Sequence, residues 1–170
     1  MKAAAPRIYV LLGGFVGPDG YLDSPGMLAF EAVIAHRFPA AKCQVFDWSR
    51  YLGAAADIIS LPRDAKVIVI GYSGGGSRAT WLANGVRGRT IDLMICYDPS
   101  PAWQMMHIGD NVKRAVCYFN ETPWFFGLGG GMLVGPNVEK VTIREEHALV
   151  QSDGKLHQRS IDEINRVLTA

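Results

Sequence analysis

A single serine lies between glycines at the end of an apolar run. The segment VIVIGYSGGGSRA, residues 67–79, has four β-branched aliphatic residues followed by a glycine-rich turn. Residues 71–75 fit G-x-S-x-G, in which a tight strand-to-helix turn presents the serine hydroxyl at the carboxyl edge of a sheet. The segment lacks the Lys-Ser/Thr ending of a phosphate-binding loop and the G-x-G-x-x-G spacing of a dinucleotide site. The context therefore predicts a nucleophile at Ser73, and a purely structural turn is the alternative.

A serine nucleophile needs a base to take its proton, and the sequence offers four histidines. His147 follows the last strand-like segment, VEKVTIREE, so we expect it at the carboxyl end of a strand, on the same sheet edge as Ser73. His36 ends a predicted helix, His107 lies in a loop with two methionines, and His157 begins the last helix, where a solvated or capping role is usual. We predict that His147 is the base.

The base in turn needs an acid that fixes its tautomer. In IDLMICYDPSPAW, Asp98 ends a buried strand directly before a proline. Glu121, after the next strand in CYFNETPW, is the alternative, whereas Asp110 and Asp153 follow no strand end. We predict Asp98 as the acid. The resulting chain order of serine, acid and histidine agrees with the α/β-hydrolase arrangement.

An oxyanion hole needs two amide donors, and the sequence offers two places for them. One is the N–H of Gly74, directly after the serine. The other is expected in LLGGFVGPDG after the first strand, where we choose the Phe15 N–H and place Gly14 second. The alternative, which is equally consistent with the sequence, is that the glycines in that loop only end a strand.

Apolar side chains follow Asp98 and precede the last strand. They are Trp103, Met105, Met106, Trp124, Phe125, Phe126, Leu128, Met132 and Leu133. If they face the serine they form a hydrophobic substrate pocket; otherwise they form a satellite core under the loops. We assign substrate contacts to Gly14, Tyr72, Trp103 and Trp124.

Alternating strand and helix patterns position these residues. Continuous apolar runs predict buried strands over 7–12, 42–46, 66–70, 92–97 and 115–119, and a more alternating run predicts an edge strand over 138–143. Helices are predicted over 24–38, with Ser24 as N-cap and Pro25 first, over 50–60, from Ser73 to Gly85, and over 155–168. Residues 99–113 and 120–137 show no helical period. The pattern predicts an α/β fold, a three-layer α/β/α sandwich around a mostly parallel sheet of about six strands.

Composition narrows the functional classes. The 170 residues fit a single domain, 1–170, about half are apolar, and the net charge of +1 gives no basic surface for nucleic acid. The run IYVLLGGFVG is too short to span a membrane and has no cleavage site after it, so we expect a cytoplasmic protein. Three unclustered cysteines predict free buried thiols, and neither a metal nor a cofactor is expected.

Together these residues resemble the α/β-hydrolase superfamily in a minimal form without a cap domain. The resemblance covers residues 8 to 168 and begins at what is similar to the third of the usual eight strands. ICYDPSP is similar to the Asp-Pro motif of lipase-type hydrolases whose acid follows the sixth strand. YDPS…GDNVKRAVCYFN…H resembles small bacterial and phage lipase- or thioesterase-like proteins. The His-Gly often found before the oxyanion loop is here Gly13-Gly14.

The resemblance implies a triad of Ser73, Asp98 and His147 in a metal-free serine hydrolase. Its substrate is expected to be a carboxylic ester or thioester, either a small molecule or an acyl group on a carrier. Two alternative functions are consistent with the same fold. One is a catalytically inactive binding module, and the other is an acyltransferase that uses the same triad.

Overall fold

Six parallel strands form the main sheet of the structure, a computed structural model that describes residues 4–14, 24–101, 104–122 and 127–170. In chain order, the described elements are β1 (Arg7–Leu12), α1 (Pro25–Arg37), β2 (Lys42–Asp47), a 3₁₀ turn (Trp48–Arg50), α2 (Tyr51–Ser60), β3 (Val67–Tyr72), α3 (Gly74–Gly85), β4 (Leu93–Tyr97), β5 (Met105–His107), β6 (Ala115–Asn120), β7 (Met132–Val134), β8 (Val138–Ile143), α4 (His147–Val150) and α5 (Gly154–Thr169). The strand order in the sheet is β2-β1-β3-β4-β6-β8.

All six strands of this sheet were predicted, because each is an apolar run. Every pair of adjacent strands in this sheet is parallel. β8, the run with the most alternation, lies at an edge as expected. The third strand continues two residues beyond its predicted end, through Gly71 to Tyr72, and so reaches Ser73 directly.

Helices cover both faces of the sheet, which confirms the three-layer architecture. α2 and α3 pack on one face, where Ile58 and Leu82 meet the inward side chains of Tyr9 and Leu11. α1 and α5 pack on the other, where apolar residues such as Ile34 join those of the alternate strand positions. Because each strand is buried on both faces, its sequence is almost continuously apolar.

The first helix begins at Pro25 with Ser24 at the N-cap position, as predicted, but the Ser24 side chain does not cap the helix. Its hydroxyl makes no capping hydrogen bond. Instead Ser24 Oγ donates to the Gly13 carbonyl at 3.0 Å and accepts from the Gly13 N–H at 3.1 Å. The Ser24 hydroxyl therefore fixes the segment that leaves β1, while the Ser24 carbonyl accepts from the Leu28 N–H at the start of the helix.

A second, two-stranded sheet lies where no regular element was predicted. β5 and β7 pair in parallel, with Met106 opposite Leu133, and both side chains are buried in the core under α3. The described part of the connection from β4 to β6 thus contains a short strand and no α-helix. Within the described ranges, no helix has both the length and the apolar character needed to cross a membrane.

Candidate active site

Ser73 occupies a sharp turn between β3 and α3. Its backbone has φ 52° and ψ −122°, an unusual conformation for a residue with a side chain. A Cβ at Gly71 would lie 2.5 Å from the Gly75 carbonyl oxygen, and one at Gly75 would lie 2.2 Å from the Leu11 carbonyl oxygen. The turn can therefore close only with glycine on both sides of the serine, which is the physical reason for the G-x-S-x-G spacing.

The segment after β1 lies directly against this turn. A Cβ at Gly13 would lie 2.6 Å from both Ser73 Cβ and the Tyr72 carbonyl oxygen. Gly14 follows with φ 106°, a conformation that favours glycine. The two glycines thus allow the backbone after β1 to pass directly beside the serine. Their role is therefore not limited to ending the strand.

Asp98 lies at the end of β4 and is fully buried, with φ 41°. One carboxylate oxygen, Oδ1, accepts hydrogen bonds from the Asn120 N–H at 3.0 Å and the Gly130 N–H at 2.7 Å. The other, Oδ2, lies 2.7 Å from His147 Nδ1. The carboxylate is therefore held in a fixed orientation by backbone donors from two loops, and its free oxygen faces the histidine.

His147 connects this carboxylate to the serine. Its Nε2 lies 2.9 Å from Ser73 Oγ, and the side chain is almost completely buried. Since a carboxylate oxygen only accepts, Nδ1 carries the hydrogen toward Asp98, and Nε2 is left to accept from the serine hydroxyl. The Tyr72 ring stacks on the imidazole at 5.2 Å, and its hydroxyl donates to the His147 carbonyl at 3.0 Å.

The alternative candidates lie elsewhere. Glu121 is exposed, and its carboxylate accepts from the Thr142 hydroxyl at 3.2 Å instead of contacting a histidine. His36 and His107 are exposed. His157 is half-buried, with its ring stacked on Phe30 at 4.1 Å and its Nε2 2.8 Å from the Gln151 carbonyl oxygen. Thus only the side chains of Ser73, His147 and Asp98 form a continuous hydrogen-bonded series among these candidates.

The cysteines offer no competing nucleophile. Cys96 and Cys117 are fully buried in strands, as predicted, and Cys43 is half-buried. Burial raises the pKa of the Cys117 thiol to about 12 and that of Cys43 to about 12. Both thiols are therefore protonated and unreactive near neutral pH.

One of the two predicted oxyanion donors has a defined position. Gly74 is the first residue of α3, where a backbone N–H has no acceptor within the helix and is free for another partner. Phe15, the other predicted donor, lies outside the described residues. Among those residues, no group of three or more His, Cys, Asp or Glu side chains is placed to hold a metal ion.

A cavity of about 650 Å³ opens over Ser73. Gly14 and Tyr72, two of the residues assigned to substrate contact, line it, whereas Trp103 and Trp124 lie outside the described residues. The predicted apolar cluster is divided: Leu128 lines the cavity, but Met106 and Leu133 are core, and Met105 is exposed. Met106 and Met132, which packs against the same core, thus have a packing role, whereas Met105 does not.

Several residues of the site were missed by sequence reasoning. Trp48, Arg78 and Trp81 line the cavity on the side of α2 and α3. Ser100 Oγ lies 3.3 Å from Ser73 Oγ and accepts from the Gly129 N–H at 2.8 Å. Two signals were available: Arg78 and Trp81 lie on the helix that follows the serine, and Gly129 begins a run of three glycines.

The architecture matches that of solved hydrolase structures over nearly their full lengths. Est1E from Butyrivibrio proteoclasticus aligns with a TM-score of 0.64 at 10% identity, covering 99% of this chain and 90% of that one. Human thioesterase 2 aligns at 0.56 and 9% identity, covering 98% and 97%. Alpha/beta hydrolase domain-containing protein 10 from mouse aligns at 0.57 and 11% identity, covering 99% and 92%.

These likenesses define the class of fold. No protein-family model matches the sequence, and no curated protein matches it either. The chain has the α/β-hydrolase fold, in a minimal form whose main sheet has six strands in the described residues. The sequence resemblance had predicted this fold.

Proposed function

We propose that this protein is a serine hydrolase that cleaves carboxylic esters or thioesters through an acyl-enzyme intermediate. The observation that carries the proposal is the series of contacts from Ser73 Oγ to His147 at 2.9 Å and from His147 to Asp98 at 2.7 Å. A serine hydroxyl becomes a useful nucleophile when a base accepts its proton and an acid orients that base. Ser73, His147 and Asp98 are assigned these three roles.

The first half of the reaction forms the acyl-enzyme. His147 Nε2 takes the hydroxyl proton while Ser73 Oγ bonds to the acyl carbon, and the carbonyl electron pair moves to oxygen. Asp98, already hydrogen-bonded to Nδ1, stabilises the imidazolium that results. The carbonyl oxygen becomes an oxyanion that accepts from the Gly74 N–H, and the Phe15 N–H is proposed as the second donor. The imidazolium then protonates the leaving oxygen or sulfur as its bond to the acyl carbon breaks.

The second half releases the acyl group. Water enters the position of the leaving group, His147 takes one of its protons, and the water oxygen bonds to the acyl carbon. Collapse of the second oxyanion breaks the bond to Ser73 Oγ, which recovers its proton from His147. The products are a carboxylic acid and a regenerated serine.

The cavity and the similar solved structures support this substrate class. Pro25, Trp48, Trp81 and Leu128 give the cavity apolar walls, and the solved structures that are similar to this chain include Est1E and human thioesterase 2. We assign substrate contacts to Gly14 and Tyr72 and extend them to Trp103 and Trp124. The acyl ester or thioester is a small molecule or is linked to a carrier.

Labelling by a fluorophosphonate probe tests the mechanism without a known substrate. Such a probe reacts with an activated serine, so wild type should label and Ser73→Ala should not. Asp98→Asn should slow labelling by on the order of a thousandfold or more, because the imidazole loses the partner that sets its tautomer. Glu121→Gln is the matched control, since Glu121 is exposed and away from His147.

The remaining outcomes separate the other functions. A folded wild type that stays unlabelled removes the enzyme assignment and favours a binding module. If labelling occurs, a panel of matched esters and thioesters assigns the substrate class. Product analysis with an added alcohol or amine then distinguishes hydrolysis from acyl transfer.

A further inference from the structure

One permanently charged side chain lines the cavity over Ser73. Among the described lining residues, Arg78 has a guanidinium, and no Asp, Glu or Lys contributes to the wall. The other polar groups there are hydroxyls, amides and the His147 imidazole. The cavity is therefore electrostatically positive on the side of α3, where Arg78 lies five residues after the serine.

Aromatic rings hold the Arg78 guanidinium in place. Its central carbon lies 3.8 Å from the centroid of the Trp81 ring, 5.1 Å from that of Trp48 and 5.5 Å from that of Tyr51. Tyr51 and Trp81 also contact each other edge to face at 6.0 Å. Stacked rings occupy the faces of a guanidinium, and its N–H groups point outward in the plane, where they can donate to a planar or tetrahedral anion.

The guanidinium has no anionic partner within the described part of the chain. Arg78 forms neither an ion pair nor a hydrogen bond there, and the Asp47 carboxylate, one residue before Trp48, accepts from the backbone N–H and hydroxyl of Ser49. Other arginines of the molecule, such as Arg114 and Arg166, pair with glutamates. Within the described residues, the Arg78 donors are thus unpaired next to the proposed nucleophile.

The order of the strands indicates which half of a substrate meets Arg78. Trp48 follows β2 at one edge of the sheet, His147 follows β8 toward the other, and Ser73 follows β3 between them. Because His147 must protonate the leaving group, that group lies on the β8 side of Ser73. The acyl chain then extends toward the side of Trp48 and Arg78.

We propose that Arg78, clamped by Trp48 and Trp81, binds an anionic group on the acyl half of the substrate. The preferred substrates are monoesters or monothioesters of acids that carry a second anionic group, a carboxylate or a phosphonate or phosphate. The guanidinium fork forms charge-assisted hydrogen bonds to that group, and the indole rings contact the chain between it and the ester. This inference rests on the proposed function of Ser73.

Matched substrates test the preference. The 4-nitrophenyl monoester of adipic acid carries a free carboxylate, and its methyl-capped counterpart is neutral and of similar shape. For wild type, kcat/KM should favour the carboxylate by about tenfold or more, as a charge-assisted hydrogen bond in a partly exposed site allows. Arg78→Gln should remove this preference, Arg78→Lys should retain part of it, and Arg87→Gln, an exposed arginine on the chain after α3, should leave it unchanged.

Further substrate pairs identify the anion and its position. A phosphono acid ester of equal length is compared with the adipate monoester. Whichever of the two has the larger kcat/KM shows whether the site prefers a phosphonate or phosphate, or a carboxylate. The butyrate ester of 4-hydroxyphenylacetate and its methyl ester place the charge on the leaving half, where no preference is expected. A preference found only in this last pair, or one that survives Arg78→Gln, overturns the proposal.

Binding to Ser73→Ala separates this proposal from the proposed hydrolase activity. Monoethyl adipate should change the tryptophan fluorescence of this variant, and its Kd should rise about tenfold or more when Arg78→Gln is added. If the probe labels wild type but monoethyl adipate binds equally with and without Arg78, the anion site is wrong and the hydrolase remains. If binding depends on Arg78 but no ester is hydrolysed, the anion site stands and the hydrolase fails.

Discussion

Two residues with side chains have positive φ angles in the described structure, and both belong to the proposed triad. Ser73 has φ 52° and Asp98 has φ 41°, conformations that cost on the order of 1–3 kcal/mol each. Sheet hydrogen bonds hold both in place: the Ser73 N–H donates to the Tyr97 carbonyl at 3.0 Å, and the Asp98 N–H donates to the Tyr118 carbonyl at 2.7 Å. The strained backbone is thus anchored by the adjacent strands.

Gly129 lies against the contact between the acid and the base. A Cβ at this position would lie 2.1 Å from Asp98 Oδ2 and 2.7 Å from His147 Nδ1, and its φ is +73°. We expect Gly129→Ala to separate the two side chains and to lower kcat/KM on a neutral 4-nitrophenyl ester by on the order of a hundredfold or more, because His147 loses its orienting partner.

The matched control for this change is Gly154→Ala. Gly154 begins α5, and no atom lies within 4 Å of a Cβ built there, so its kcat/KM should equal that of wild type. Circular dichroism of both variants establishes that they are folded. If folded Gly129→Ala keeps its activity, the loop that contains residue 129 moves to make room for the methyl group. Gly129 then does not determine the position of Asp98.

The candidate residues illustrate what sequence can determine about this site. Ser73, Asp98 and His147 each follow a strand-like run, and parallel strands bring such positions to one edge of a sheet. The positions of the strand ends alone do not distinguish Asp98 from Glu121 as the acid. The Asp98 carboxylate is oriented by the backbone N–H groups of Asn120 and Gly130, which donate to it. No local pattern encodes those contacts, since the donors lie 22 and 32 residues further along the chain.

At the scale of elements, close approach between β1 and α3 shapes the turn at Ser73. Gly75 lies where a Cβ would be 2.2 Å from the Leu11 carbonyl oxygen. That oxygen belongs to a central strand and cannot move without disturbing its neighbours. The start of α3 is thereby held directly against the end of β1, beside Ser73.

We expect Gly75→Ala to lower the free energy of unfolding by about 1–3 kcal/mol, the usual cost of an added methyl group where there is no space. Gly85→Ala, at the exposed end of the same helix, should raise it by about 0.5–1 kcal/mol, since no atom lies within 4 Å and alanine has the higher helix propensity. Urea unfolding measures both. Equal stability of the two variants would show that α3 can shift away from β1.

The elements differ in how well their sequences specify them. The six long strands could be predicted because burial on two faces requires continuous apolar residues. β5 and β7 have three residues each and an MMH and MLV sequence, too short to show any period. They form because β5 pairs with β7 across 24 intervening residues of the chain, and that pairing is a tertiary contact. Ser24 is the N-cap residue as predicted, but its hydroxyl bonds to Gly13 instead of to the helix, and this contact is also a tertiary one.

Across the whole molecule, α5 is held to the sheet by charge as well as by apolar contacts. The Glu163 carboxylate is buried and accepts from Arg114 at 2.9 Å and from Arg166 at 2.7 Å. Glu139 on β8 accepts from Arg114 and from Arg159. The network joins the last helix to the start of β6 and to β8, and β8 leads directly to His147.

The pH dependence of this network follows from its carboxylates. Burial raises the pKa of Glu163, but hydrogen bonds and charge from Arg114 and Arg166 outweigh burial and hold its pKa below the ordinary 4.5. Hydrogen bonding to Arg114 also lowers the pKa of Glu139. A carboxylate with a depressed pKa in the folded state stabilises the fold above its unfolded pKa, and this stabilisation is lost as pH falls through the folded pKa.

Glu163→Gln should therefore lower the free energy of unfolding at pH 7 by about 1–3 kcal/mol, because a carboxylate that accepts charged hydrogen bonds is replaced by a neutral amide. The difference from wild type should shrink as the pH falls below about 4.5, where wild type also loses this charge. Urea unfolding at pH 7 and pH 3.5 measures the change, with Asp162→Asn, an exposed carboxylate on the same helix, as the control. If the difference is the same at both pH values, Glu163 contributes through packing, and its charge does not help to hold α5 to the sheet.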